Sequence, residues 1–168
     1  MRFMGAGLIA IRHILHNNRT EEAANAVDLF RRAVSAIKYD NAYPQGRSEL
    51  DRFLQDAEAV GIRVNLSGDL PEQEELRRVM ILAMRECLTN SVRHAGATTI
   101  HITAENKGDS ASVKITNDGR APETEVVPKG GLHNLYRHVM DLGGTMEIQS
   151  KPGFVLTVVL PAIKEVTE

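Results

Sequence analysis

The chain has one cysteine, Cys87, no tryptophan and only 4% aromatic residues in 168. A single thiol excludes a disulfide framework and a multi-thiol zinc site, and it fits a reducing cytosol. With so few aromatics the core must rest on Leu, Ile, Val, Met and Ala. No long apolar run is present: the longest, Val79 to Met84, falls far short of the roughly 20 residues that cross a bilayer. The start, Met1-Arg2-Phe3-Met4-Gly5, has neither the apolar region nor the cleavage pattern of a signal peptide. Any membrane attachment is therefore expected in a parent segment outside this sequence, and the location expected is cytoplasmic. An excess of one charge is missing too. Twenty basic and 22 acidic residues give a net charge of −2, so no global field draws in nucleic acid. Neither GxGxxG after a first strand nor GxxxxGK followed by Ser or Thr occurs, which leaves the two commonest nucleotide folds unsupported.

What is present is the composition of a packed domain, 42% hydrophobic and 25% charged. At roughly 100–200 residues per domain this is one domain, or one domain with a modest appendage. The turn-rich stretch Asn41-Ala42-Tyr43-Pro44-Gln45-Gly46 marks a hinge, dividing the chain into residues 1–43 and 44–168. The first part reads as a helical hairpin. Leu8, Ile11 and Leu15 make one stripe, and beyond Asn17-Asn18 a second helix carries Ala23, Val27, Phe30, Val34 and Ile37. Their spacing of 4, 3, 4 and 3 is a heptad seam. A hairpin of about 40 residues cannot bury such a seam alone, so the expectation is a homodimer that forms a four-helix bundle.

In the second part, Ser48-Glu49-Leu50-Asp51 resembles a capping box, and Phe53, Leu54, Ala57 and Val60 follow at helical spacing. Ile62 to Leu66 alternates as a strand, and a long helix runs to about His94. Thr99 to Ala104 and Ala111 to Thr116 alternate across a hairpin. After a loop from Asn117 to Gly131 comes a helix, Leu132 to Leu142. A last hairpin joins Thr145–Ser150 to Phe154–Leu160. The fold class is therefore α+β: a two-layer sandwich with a mostly antiparallel sheet and helices on one face.

Three segments carry chemistry. At the end of the long helix Glu86, Asn90 and Arg93 stand at i, i+4 and i+7, on one face. Such a stripe is equally the pattern of a solvated surface. As a site it offers an amide oxygen suited to Mg²⁺ and a guanidinium suited to phosphate. Asn117-Asp118-Gly119 ends an apolar strand without starting a hairpin. It is either an ordinary turn or an Asp placed to accept a hydrogen bond from an exocyclic amine. Lys129-Gly130-Gly131-Leu132 opens a helix, as a flexible entry turn or as free N–H groups facing an anion.

The order of these segments, with the later Leu-Gly-Gly, Pro-Gly-Phe and Leu-Pro, resembles the ATP-binding domain of sensor histidine kinases in bacterial two-component systems. The similarity is closest to the subfamily of nitrate sensors and Gram-positive thermosensors, and it covers residues from about 46 to 161. It implies the Bergerat fold with ATP and Mg²⁺ as ligands. It further implies that Asn90 ligates the metal, that Arg93 meets the phosphates and that His94 lies by the ribose or adenine. Asp118 would bond the adenine amine, with Gly119 allowing close approach, while Gly130, Gly131 and Leu132 would end the ATP lid. Glu86 would orient or deprotonate the attacking group. The partners implied are a second copy of the chain and a response regulator. Phe154 departs from the pattern, standing where such domains often have Thr.

A second departure lies at the start. The resemblance aligns Gly5 and Leu8 with a motif whose acceptor His and adjacent acid fall on Met1 and Arg2. Truncation near the acceptor is the explanation expected; a chain that natively lost it is the alternative. His13 is twelve residues beyond Met1, about 18 Å along a straight helix at 1.5 Å per residue, and His16 is farther. Both are read as ordinary helix residues, so the unmodified chain is expected not to label itself on histidine. Two other functions stay open: a dimerising pseudokinase, and an anti-sigma-factor-type serine kinase of the same fold, against which the heptad hairpin speaks.

The seam gives a direct test of association. Burying Val27, Phe30, Val34 and Ile37 is worth about 1.5–3 kcal/mol each before entropy. Phe30→Glu with Val34→Glu is expected to sediment as a monomer, and a dimer that persists would place the interface elsewhere.

Overall fold

The computed structural model describes residues 48–163, of which those from Glu49 onward belong to one compact unit. The expected N-terminal hairpin, its seam and the region around Met1 lie outside the described residues. The elements run α1 (Glu49–Ala59), β1 (Arg63–Ser67), α2 (Glu74–Asn90), a π-helical turn (Ser91–Ala95), β2 (Thr99–Asn106), β3 (Ser110–Asn117), α3 (Gly131–Asp141), β4 (Thr145–Gln149) and β5 (Val155–Pro161).

Period-two alternation builds the sheet. Ile100, Ile102 and Ala104 of β2, Ala111, Val113 and Ile115 of β3, and Leu156, Val158 and Leu160 of β5 are all buried. The residues between them stay exposed or half-exposed, so one face is covered and the other open to water. The strand order is β1-β2-β3-β5-β4. The pairs β2–β3, β3–β5 and β4–β5 are antiparallel, as the hairpins require. β1 pairs with β2 in parallel. The intervening α2 is the crossover that a parallel pair needs, and the alternation of β1 alone could not give its direction.

The three helices cover the apolar face. Phe53 and Ala57 of α1, Leu76, Met80, Met84 and Cys87 of α2, and Leu135 and Val139 of α3 join the inner sheet residues in one core. Phe154 also lies in it, so the residue that departs from the family pattern is a packing residue. α2 begins with Glu74 and Glu75 in its first turn, where the helix dipole favours carboxylates. The Gln73 side chain ties that end to the chain after β5: Nε2 donates to Ile163 O at 2.8 Å and Oε1 accepts from Ile163 N at 3.1 Å. Arg85 links α2 to α1 through Asp56 at 2.8 Å.

The long helix differs from the expectation at its end. Its α-helical part stops at Asn90, and Ser91 to Ala95 form a π-turn. A π-turn carries more residues per turn than an α-turn, so Arg93 rotates off the stripe that Glu86 and Asn90 share.

The core makes a quantitative demand. Leu135 is fully buried and Val127 is 60% exposed. Leu135→Ala is expected to cost about 2–5 kcal/mol in urea unfolding, whereas Val127→Ala should stay within about 0.5 kcal/mol.

Candidate nucleotide site

The three motif segments come together where the last turns of α2 meet the end of β3 and the start of α3. Two close approaches hold these pieces together. The first joins the turn after β3 to the π-turn: Arg120 N–H donates to Ala95 O at 2.9 Å. A Cβ on Gly119 would fall 2.6 Å from both the Ala95 methyl and its carbonyl oxygen, so only glycine fits there. The second joins α3 to α2, where a Cβ on Gly131 would strike the Glu86 carboxylate. Glu86 thus stands at the α3 N-terminus, where free N–H groups and the helix dipole favour a negative charge. The three motif segments are neighbours along one helix edge.

Asn90 and Glu86 are half-buried on the last α-helical turns, while Arg93 and His94 are exposed in the π-turn. Gly130 is exposed and caps α3 at φ 55° and ψ −120°. Leu132 is buried in the core and anchors the end of the loop. That loop runs from Asp118 to Gly130 and is pinned midway, Val126 N–H donating to Ser150 Oγ at 2.8 Å.

Asp118 is clasped by the start of β2. Its Oδ1 accepts from the backbone N–H groups of Thr98 and Thr99 at 2.8 and 2.9 Å, and its Oδ2 accepts from Thr98 Oγ1 at 2.6 Å. Those donors, the Thr98 hydroxyl foremost, hold its carboxyl well below the usual carboxylate range. These three bonds leave Oδ2 with a lone pair that can accept one more, and Asp118 is exposed. The adjacent Asn117, which sequence reasoning passed over, lies opposite Ile100 in the β2–β3 register. Directly opposed residues share a face, and Ile100 is fully buried under the helices. Asn117 is thus on the helix-covered side and half-buried. The alternation of Val113 and Ile115 held the signal for this. Thr98 and Thr99, likewise unforeseen, carry the clasp.

Cys87 lies within this stretch of α2 but is buried, and burial pushes its thiol pKa far up, so it stays protonated and unreactive. No group of three His, Cys, Asp or Glu side chains able to hold a metal occurs among the described residues. The donors present, the Asn90 amide and the Glu86 carboxylate, are hard oxygens. They fit an Mg²⁺ that takes one or two protein ligands beside nucleotide phosphates and water. A separate cleft of about 570 Å3 opens by α1 and β1, lined by Leu54, Glu58, Ile62, Arg63 and Thr98 among others; none of the expected site residues lines it. No helix among the described residues is long and apolar enough to cross a membrane.

Known proteins resemble this chain in sequence and in fold. The family model of the histidine kinase-, DNA gyrase B- and HSP90-like ATPases matches residues 75–164, a span that holds all three motif segments. The chain is 27% identical over 89 residues to the sensor histidine kinase YvfT of Bacillus subtilis, a stretch that makes up 53% of this chain and 24% of YvfT. It therefore spans about a quarter of that relative's length. Among solved structures, the histidine kinase domain of a blue-light activated histidine kinase from Erythrobacter litoralis superposes with a TM-score of 0.53 at 16% identity, covering 96% of this chain and 94% of that one. The ATP-binding domain of PrrB from Mycobacterium tuberculosis gives 0.52 at 24% identity, with 69% and 93% covered. At these identities the structural likenesses establish the fold. The chain belongs to the histidine kinase-, DNA gyrase B- and HSP90-like ATPase family, and its ATPase domain is of the sensor histidine kinase type.

The Asp118 clasp sets a pH dependence. Its folded pKa lies below the ordinary 3.8. Its contribution to stability is therefore present above that value and is lost as pH falls through the folded pKa. Asp118→Ala is expected to melt below the wild type at neutral pH, the gap narrowing from about pH 4 downward. A gap that stays constant down to about pH 2 would show that the charge is not what holds the turn.

Proposed function

We propose that this domain binds Mg-ATP at the end of α2 and passes the γ-phosphate to a histidine on a dimerisation helix, for relay to a response regulator. The observation that carries the reading is the convergence of the three motif segments: Gly119 lies against Ala95, and Gly131 against Glu86. A homodimer through the N-terminal helices and a cytoplasmic setting complete the proposal.

The roles follow from chemistry and place. Asn90 offers the amide oxygen that holds Mg²⁺, with Arg93 reaching the phosphates and His94 near the ribose. When bound, Mg²⁺ neutralises charge on the phosphate oxygens. Gly130, Gly131 and Leu132 close the lid, Leu132 by its anchorage in the core and the glycines through N–H groups at the start of α3. Glu86 orients or deprotonates the attacking imidazole. Asp118, held in place by Thr98 and Thr99, offers its remaining Oδ2 lone pair to the adenine amine, with Gly119 allowing close approach. Phosphoryl transfer asks a protein chiefly for positioning and charge neutralisation, and the acceptor must come within about 3–3.5 Å of the phosphorus.

Calorimetric titration tests the binding. Asn90→Ala is expected to weaken Mg-ATP by about tenfold or more while leaving ATP in excess chelator unchanged. Equal Mg-ATP affinity in both proteins would remove Asn90 from the metal site. Transfer is tested by adding a bundle that carries an intact acceptor His: acid-labile, alkali-stable labelling is expected, and its absence despite tight binding would make the domain a nucleotide-binding module without kinase activity.

A further inference from the structure

Between Asn117 and Gly131 the chain forms no helix or strand. Both ends of this loop are fixed: Arg120 N–H is bonded to Ala95 O, and Gly130 O accepts from Asn134 N–H at 3.1 Å. Between those ends a single hydrogen bond holds it, from Val126 N–H to Ser150 Oγ at 2.8 Å. The Val126 side chain supports that bond, being half-buried and packed against the core. Among the described residues, Ala121 to Glu125 and Val127 to Lys129 make no hydrogen bond of their own.

Ser150 is placed to act as an anchor. It follows β4 at the turn into β5, and Gln149 Nε2 donates to Lys151 O at 2.8 Å within that turn. Just beyond it Phe154 is buried in the core. None of the residues expected at the nucleotide site belongs to this turn, so the bond ties the loop to a part of the sheet outside the site.

The bond also divides the loop into arms of unequal length and opposite charge. The longer, Ala121-Pro122-Glu123-Thr124-Glu125, carries two acids, and the shorter, Val127-Pro128-Lys129, carries one base. A triphosphate repels the first and attracts the second. In the shorter arm Pro128 fixes its own φ and holds Val127 extended. Once Val126 is anchored, little freedom remains between it and Gly130, and the approach to α3 keeps one arrangement. Without the anchor the free stretch becomes the nine residues from Ala121 to Lys129, which a nucleotide must order as it binds.

We propose that Ser150 is a positioning residue of the nucleotide site: its hydroxyl anchors the loop at Val126 and holds the basic arm at the start of α3 before the nucleotide arrives. The inference rests on the nucleotide site proposed above and adds to it a residue remote from the motif segments.

The test compares the full chain with Ser150→Ala and with Ser150→Thr, which keeps the hydroxyl. In the unliganded wild type, backbone amide NMR relaxation is expected to find Val126 and Lys129 as ordered as α3. In Ser150→Ala both should become mobile, with order parameters below about 0.6. The Kd for Mg-ATP is expected to rise about three- to tenfold in Ser150→Ala, as the anchored state loses one hydrogen bond, and to stay near the wild-type value in Ser150→Thr. A wild type that binds while Ser150→Ala keeps its affinity, or an equal loss in both variants, overturns the inference and leaves the nucleotide site standing. Failure of the wild type to bind Mg-ATP removes the site itself, and the inference with it. Circular dichroism identifies a variant that does not fold. The wild-type relaxation then decides, since a mobile Val126 in the unliganded protein overturns the anchor by itself.

Discussion

One carboxylate fixes the geometry on which the site depends. Asp118 gathers two backbone N–H groups and a hydroxyl from the start of β2, and so locks the end of β3 beside it. An ionised carboxylate accepts only, and bonds to it are stronger than neutral ones. With that end fixed, Asn117 faces the helical layer, Gly119 reaches Ala95, and Arg120 takes up the carbonyl at the close of the π-turn. Without it the turn would keep its backbone bonds and the bond from Gly119 N–H to Asn117 Oδ1, but would lose its charged tie to the start of β2.

The helix that meets this turn serves two purposes. One side of α2, from Leu76 through Met80 and Met84 to Cys87, is core. Its last turns carry Glu86 and Asn90 outward at the rim. Because the core side is set by packing against β3 and β5, the rim residues inherit a position that their own contacts would not supply. This is the sense in which a sheet with few aromatics still builds a site: small and branched apolar side chains fill the interior closely, and the polar residues are carried on rigid elements.

Much of this was legible in the residues. Strict alternation in β2, β3 and β5 gave the strands and their buried faces, and glycines and prolines gave the turns, within a residue or two. The order of motifs pointed to the family before any contact was known. What remained hidden was of three kinds. The direction of β1 depends on a tertiary crossover, not on its own pattern. The π-turn has no period of its own, since Ser91 to Ala95 satisfies helical spacing until its hydrogen bonds are seen. The clasp on Asp118 turns on partners at Thr98 and Thr99, some twenty residues away in sequence. Local pattern carries no information about a bond of that span, although the parity of Val113 and Ile115 already put Asn117 on the covered side.

The account therefore stands or falls on whether the rim of α2, the end of β3 and the start of α3 form one nucleotide site. Backbone amide NMR of the isotopically labelled chain, titrated with Mg-ATP, addresses this residue by residue. The account predicts shifts concentrated at Asn90 to Ala95, Asn117 to Gly119 and Gly130 to Leu132, with the open face of the sheet unmoved. Shifts confined to the cleft around Leu54, Glu58 and Ile62, or no saturable shifts, would contradict it.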